Sequence, residues 1–259
     1  MRIARYTLGE DPAYGIVHGE PGGEIITPLA GDPLYIGVQA SGADPVPLDE
    51  ARLLAPVIPR SKIIGIGRNY AAHAKEMGAE VPSEPIVFLK PNTSVIGPGD
   101  PVVMPPMSRE VHYEGELAVV IGKIAKGVRA EQALECVFGY TVANDVTARD
   151  LQRSDVQFTR AKGFDTFCPL GPWVETDLDP HALRVQTRRD DVVVQDGTTA
   201  DMIVPVEKLI EFVSSIFTLL PGDVLLTGTP AGVGPVYAGQ SVSVEVEGIG
   251  VLSNVFVRR

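Results

Sequence analysis

Val111-His112-Tyr113-Glu114-Gly115-Glu116-Leu117-Ala118-Val119-Val120-Ile121-Gly122 decides how the chain is read. Leu117 to Ile121 is an apolar, partly β-branched run, the pattern of a strand entering a core. Side chains two apart on a strand share a face, so Glu114 and Glu116 set two carboxylates side by side. Gly115 between them has no side chain and leaves the opposite face open to close approach. Two like charges held together on a partly buried strand need compensation, either a proton on one carboxyl or a cation between them. A solvated strand end with two surface glutamates has the same spacing, so the rest of the chain must decide.

The totals narrow the choice. The chain has 259 residues, with 22 Lys plus Arg against 33 Asp plus Glu and a net charge of −11. Such an acidic chain is a poor partner for nucleic acid or an anionic membrane, and an anionic ligand would need a local attraction from a metal or a few placed Arg and Lys. The apolar runs fall short of a membrane span, and Met1 to Tyr6 lacks the apolar core of a signal peptide. Only Cys136 and Cys168 are present, so no disulfide framework is expected and a reducing cytoplasm fits. The 27 glycines and 22 prolines between short apolar segments indicate a turn-rich, β-dominated protein.

Residues 1–58 read as a small β-unit of short strands with a possible helix at Leu48 to Leu54, closed by the linker Pro56-Val57-Ile58-Pro59. Lys62 to Gly67 is a strand. Its Gly65-Ile66-Gly67 fails as a dinucleotide fingerprint because Tyr70 stands where the third glycine belongs. The following Ala-rich segment has Asn69 placed to cap a helix and Gly78 placed to end it. His73 and Glu76, three apart, share one face. A carboxylate beside an imidazole fixes its tautomer and raises its basicity, as a general base requires, although an exposed His–Glu pair has the same spacing. Flanking glycines would let residues 68–80 move as a lid.

Further on, Ala130 to Phe138 suits a helix, and Tyr140 to Ala143 a buried strand ending in Asn144-Asp145. Thr147 is placed to cap a helix over Ala148 to Asp155. Arg149 and Gln152 follow Asp145 by four and seven residues, giving one polar wall or an ordinary surface pair. Lys162 has small and aromatic sequence neighbours, and Cys168 reads as a packed thiol. Pro205 opens a helix with a stripe of Leu209, Phe212, Val213, Ile216 and Leu220. Thr227-Gly228-Thr229-Pro230 and the glycine-rich loop after it offer backbone amides and a hydroxyl to an oxyanion.

Five of these segments, in order, resemble the fumarylacetoacetate hydrolase family. They are Gly-Arg-Asn-Tyr-x-x-His-x-x-Glu from Gly67, Tyr-Glu-Gly-Glu-Leu from Tyr113, Asn-Asp-Val-Thr-Ala-Arg-Asp-Leu-Gln from Asn144, Ala-Lys-Gly-Phe-Asp from Ala161 and Leu-Thr-Gly-Thr-Pro-x-Gly-Val-Gly-Pro from Leu226. The resemblance implies a mainly β, α+β fold with few helices: a mixed β-sandwich roll over residues 59–259, preceded by a small N-terminal β-domain over 1–58. It also implies a homodimer or larger assembly. On the matching positions, Glu114, Glu116 and Asp145 are the implied metal carboxylates, while His73, Glu76 and Lys162 are the implied catalytic groups. Arg68, Arg149, Gln152 and Thr229 are implied substrate contacts, and His112 has a place only behind the ligands.

Three carboxylates, with no cysteine or basic partner of fixed position, select Mg²⁺ or Mn²⁺, or Ca²⁺ in a roomier cage. The implied substrate is a small anionic 2-oxo acid. The leading expectation is metal-dependent hydrolysis of the C–C bond of an acylpyruvate through a metal-stabilised pyruvate enolate, with His73 activating water. Oxaloacetate decarboxylation and isomerisation of 2-hydroxyhepta-2,4-diene-1,7-dioate use the same groups. A non-catalytic, metal-stabilised protein that binds 2-oxo acids is the rival of another class.

Overall fold

The structure, a computed structural model, describes residues 1–258 and consists mostly of β-strands with short helices. The main sheet runs, neighbour to neighbour, through Val46–Pro47, Ile25–Pro28, Ala13–His18, Arg2–Thr7, Cys168–Glu175, Val137–Asn144, Gly115–Ile121, Val224–Leu226, Ile63–Gly67 and Ile86–Lys90. A five-stranded sheet of Val192–Thr198, Arg184–Arg189, Ser241–Val246, Gly250–Arg258 and Val102–Met104 packs across it. Between them lies the large core, in which Leu117, Val119, Ile121 and Val142 meet Val185, Val244, Leu252 and Phe256. A small third sheet joins Thr147–Ala148, Val111–Tyr113 and Gly234–Pro235.

The first residues extend the main sheet through antiparallel pairing of Arg2 with Glu175 and Ile3 with Val174. They bury a cluster of their own around Ala4, Tyr6, Val17 and Ile26. The segment Leu48 to Leu54, expected to be helical, is a 3-10 turn at Leu48–Glu50 followed by a strand, Arg52–Leu54, that pairs with Arg2–Thr7. Backbone donors on that strand are better satisfied by a free sheet edge than by a helix of one turn.

Other local expectations also shift. The helix expected over Ala130 to Phe138 stops at Ala133, gives a 3-10 turn, and becomes strand at Val137 because Val137 and Phe138 join the sheet. Thr147 caps nothing: the helix is Arg149–Ser154, and Thr147 lies in a strand pairing with His112. Asn69 is not a helix cap either. The helix Ala71–Glu76 starts without a side-chain cap, while Gly78, at φ 65°, closes it, its amide bonding Lys75 O and the Ala79 amide bonding Ala74 O. The helix from Pro205 runs Val206–Ile216, burying Leu209 and Val213 but leaving Ile216 and Leu220 outside the stripe.

The central pair of strands places the carboxylates. Gly115 stands opposite Asn144, and the antiparallel register continues to Val120 opposite Gly139. Glu114 and Asp145 are therefore the next facing residues beyond the ladder, joined by the Asp145 amide to Glu114 O at 2.8 Å. Val224–Leu226 flanks the same strand antiparallel, and Ile63–Gly67 runs parallel to Val224–Leu226, so Gly67, Glu114, Asp145 and Gly228 emerge at one end of the sheet. Glu114 lies between two strands and not within one, so its convergence with Glu116 comes from the break at Tyr113–Gly115.

Gly115 packs against the second sheet, its amide donating to Gln195 Oε1 at 3.0 Å. A Cβ there would run into Thr187 Oγ1 and come within 2.9 Å of Val244 Cγ1. Gly115→Ala should therefore cost about 1–3 kcal/mol by overpacking. Gly67→Ala, whose new Cβ would find Ile86 at an ordinary 3.5 Å, should change stability far less. Chemical denaturation of the two variants checks the contrast; equal midpoints would remove the claim that the second sheet fixes this position.

Candidate active site

At the end of the sheet a cavity of about 260 Å³ is lined by Arg68, His73, Glu114, Glu116, Arg149, Gln152, Lys162 and Thr229, together with Arg153, Phe158 and Met77. Eight residues singled out from sequence thus share one cavity. Asp145 lies just beneath it, and Glu76 lies behind His73. Glu114, Glu116 and Asp145 are all buried, with one carboxylate oxygen from each lying within 4.8 Å of the others.

The carboxylates do have basic partners, which corrects the sequence expectation. Lys162 Nζ donates to Glu114 Oε2 at 2.8 Å, Asp145 Oδ2 at 2.5 Å and Thr147 Oγ1 at 2.8 Å. An ammonium has three donors, so all of them are used. Lys162 can reach a substrate only when one of these acceptors is given up. Arg149 donates to Glu114 Oε1 through Nη2 and to Gln152 Oε1 through Nη1 at 2.6 Å. Arg149 and Gln152 are thus part of the same network, and Asp145 bonds to the two lysines instead of to Arg149.

Sequence reasoning missed Lys90. Its side chain is fully buried and donates to Asp145 Oδ1 at 2.5 Å. A signal was present: a lone charge at the end of the apolar run Ile86-Val87-Phe88-Leu89 belongs to a strand with a buried partner. Asn144 was also missed; its Oδ1 accepts the Glu114 amide at 3.0 Å and holds the strand break in place. Asn69 ties the start of the lid segment to the body of the protein. Its side chain bonds Val204 O at 3.0 Å, Thr227 O at 2.8 Å and the Val204 amide at 2.9 Å. Asn69 anchors the segment through polar contacts and buried Tyr70 through packing, while Met77 is 38% exposed.

The electrostatics separate the two glutamates. Burial alone would raise the Glu114 pKa, but Lys162 and Arg149 outweigh it and hold the carboxyl well below the ordinary range. Glu116 is raised well above the ordinary value, by burial first and then by the charges of Asp145 and Glu114. Its one recorded donor among the described residues is the Gly228 amide at 2.8 Å. For Lys162, burial opposes the charge, yet Asp145 and Glu114 prevail and raise its pKa. A buried carboxyl pushed up by two neighbouring carboxylates is the arrangement a hard cation relieves, and the donors are all oxygens. The residues fit a divalent ion.

His73 is 6% exposed and lines the cavity, with Nδ1 3.4 Å from Glu76 Oε2. The Gly232 amide, from the loop after Leu226, lies 3.1 Å from both Glu76 oxygens and donates to that carboxylate. The segment thus lies folded over the site. Thr229 Oγ1 donates to Gly115 O at 2.9 Å and accepts from Gln195 Nε2 at 2.8 Å. His112 pairs with Glu110 at 3.1 Å outside the cluster. Cys168 is buried, its thiol pushed up to about 12 by burial, as a packing residue.

Known proteins are similar to this chain over most of its length. Residues 62–257 match the fumarylacetoacetate (FAA) hydrolase C-terminal family, and residues 1–56 match the family described as Rv2993c-like, N-terminal. Two curated relatives are protein Rv2993c of Mycobacterium tuberculosis and the human mitochondrial oxaloacetate tautomerase FAHD2A. The first is 47% identical over 269 residues, covering 100% of this chain and 99% of that protein. The second is 48% identical over 221 residues, covering 81% of this chain and 70% of that protein. Among solved structures, 5-carboxymethyl-2-hydroxymuconate delta-isomerase from Mycobacterium smegmatis superposes with a TM-score of 0.93 at 46% identity, over 100% of both chains. Maleylpyruvate hydrolase from Sphingobium sp. SYK-6, in complex with manganese (II) ion and pyruvate, superposes with a TM-score of 0.82 at 32% identity, over 100% of this chain and 99% of that one. With the five motifs, the mostly β fold and the buried acidic triad in agreement, the chain belongs to the fumarylacetoacetate hydrolase family.

Proposed function

We propose that this protein is a divalent-cation-dependent enzyme that moves a proton at the carbon beside the ketone of a small, doubly charged 2-oxo acid. The observation that carries the reading is His73, buried, backed by Glu76, and facing the same cavity as the acidic triad. Glu114, Glu116 and Asp145 would hold Mg²⁺ or Mn²⁺, which supplies a Lewis acid for the carboxylate and ketone oxygens of such a substrate. His73, its tautomer set by Glu76, takes or returns the carbon-bound proton. Ile66, Met77 and Phe158 supply the apolar part of the cavity lining.

Charge supports a dianion. The buried cluster contains three carboxylates, Glu114, Glu116 and Asp145, and three cations, Lys90, Arg149 and Lys162. With all six ionised they cancel, so a divalent ion leaves a surplus of two positive charges that a dianionic substrate balances. Two relatives point the same way: the human protein is an oxaloacetate tautomerase and the M. smegmatis protein an isomerase.

Hydrolysis of an acylpyruvate, the leading expectation from sequence, is the second reading, favoured by the His73–Glu76 pair, which can equally orient a water. The Sphingobium relative with manganese and pyruvate is a hydrolase. Oxaloacetate decarboxylation would use the same cluster without the water. A non-catalytic binding protein would need no buried base.

Protein dialysed against Mn²⁺ should retain one ion per chain, read by metal analysis and electron paramagnetic resonance. Glu116→Gln should lose it while keeping the fold. Retention of the ion by that variant would sink the triad as its site. With Mg²⁺ present, enol–keto conversion of oxaloacetate should be accelerated and should exceed acetylpyruvate cleavage. Replacing His73 with Ala should lower the rate about 10²- to 10⁴-fold with Mn²⁺ binding intact. Faster acetylpyruvate cleavage would establish hydrolysis instead, and a metal-loaded protein turning over neither compound would establish the binding protein.

A further inference from the structure

The cavity is graded from a buried floor to an open mouth, and the mouth is cationic. Glu114, Glu116 and Lys162 at the floor are each at most 4% exposed. Arg68 and Arg153, which line the same cavity, are both exposed. Arg153, on the helix Arg149–Ser154, shares its guanidinium with Glu110 while its side chain stays 58% exposed. Arg153 is thus paired with Glu110, whereas Arg68 has no carboxylate within ion-pair distance among the described residues.

Arg68 carries a second mark. Its φ is 59°, in the left-handed region that side-chain-bearing residues avoid and glycine adopts freely. It follows Gly67 in the strand-to-lid turn, where another glycine would relieve the strain. A strained backbone holding a long, unpaired cation at the mouth of an anion-balanced cavity indicates a demand made by the ligand.

We propose that Arg68, with Arg153 beside the same cavity, binds the distal carboxylate of the substrate and so restricts the enzyme to dicarboxylic 2-oxo acids. This rests on the 2-oxo acid reading above. The end of the substrate bearing the ketone goes to the acidic floor, and the far carboxylate meets guanidinium donors suited to paired hydrogen bonds. An oxo acid ending in a methyl group leaves Arg68 unpaired and forgoes those bonds.

Mn²⁺-loaded full-length protein should be titrated calorimetrically with 2-oxoglutarate against 2-oxopentanoate, and with oxaloacetate against 2-oxobutyrate. Each pair has equal chain length and differs only in the distal group. One charge-assisted contact corresponds to roughly a tenfold or greater preference for the dicarboxylate. Arg68→Gly should bring that ratio close to one while leaving the melting temperature equal or higher, because glycine takes this φ without strain. Arg153→Met should lower the ratio too, since it removes the second guanidinium lining the cavity. Wild-type protein that binds neither dicarboxylate, or binds both members of each pair equally, overturns the proposal. So does an unchanged ratio in both variants. Exchange of the protons beside the ketone into D₂O, followed by NMR, separates the two claims: no exchange alongside a strong binding preference would sink proton transfer and leave the arginine assignment standing.

Discussion

The structure of the site depends on one ammonium shared between two buried carboxylates. Lys162 bridges Glu114 and Asp145, which face each other beyond the last paired residues of the central ladder. Without that charge, three carboxylates whose oxygens lie within 4.8 Å would be forced together in a water-poor space. Breaking a buried pair by removing one partner typically costs about 3–5 kcal/mol, because the remaining charge is stranded. Lys90 behind Asp145 and Arg149 behind Glu114 extend the same compensation outward. The cluster is thus preassembled, with its cost met by fixed cations of the protein.

How a small set of residues could be read from sequence follows from which contacts are local. The strand Gly115–Ile121 was legible because an unbroken apolar, β-branched run has few alternatives. The His73–Glu76 neighbourhood was legible because helical spacing fixes it within three residues. Motif order revealed the family, and with it the mostly β fold. What stayed hidden depends on long-range pairing. Thr147 looked like a helix cap until Lys162 and the pairing of Thr147 with His112 claimed it. Asn69 looked like a cap until its side chain reached Val204 and Thr227, both more than 130 residues away in the chain. Lys90 gave a faint signal that only its contact with Asp145, 55 residues on, makes intelligible.

The same principle explains the failed helices. Leu48 to Leu54 and Ala130 to Phe138 have helical composition, yet each borders a sheet with an open position. At Arg52–Leu54 the strand Arg2–Thr7 supplies partners; at Val137 the strand Gly115–Ile121 does. A short helix is marginal in isolation, so an available ladder decides the outcome.

Two kinds of donor hold the acidic groups, and the difference assigns their chemistry. Glu114 and Asp145 are held by lysine and arginine, which fix their positions and offset their charge. Glu116 and Glu76 are held by backbone amides, those of Gly228 and Gly232. A neutral amide orients a carboxylate without supplying a full opposite charge, so Glu116 keeps its attraction for a cation and Glu76 keeps its attraction for the His73 imidazole. Both amides come from the one loop after Leu226, and glycine is required there by close approach. A Cβ on Gly228 would meet Asn69 Cβ at 2.8 Å, and one on Gly232 would run into the backbone of Val194. The loop that holds Glu116 therefore also holds Glu76, so the proposed metal site and the carboxylate behind the proposed base share one glycine-constrained turn.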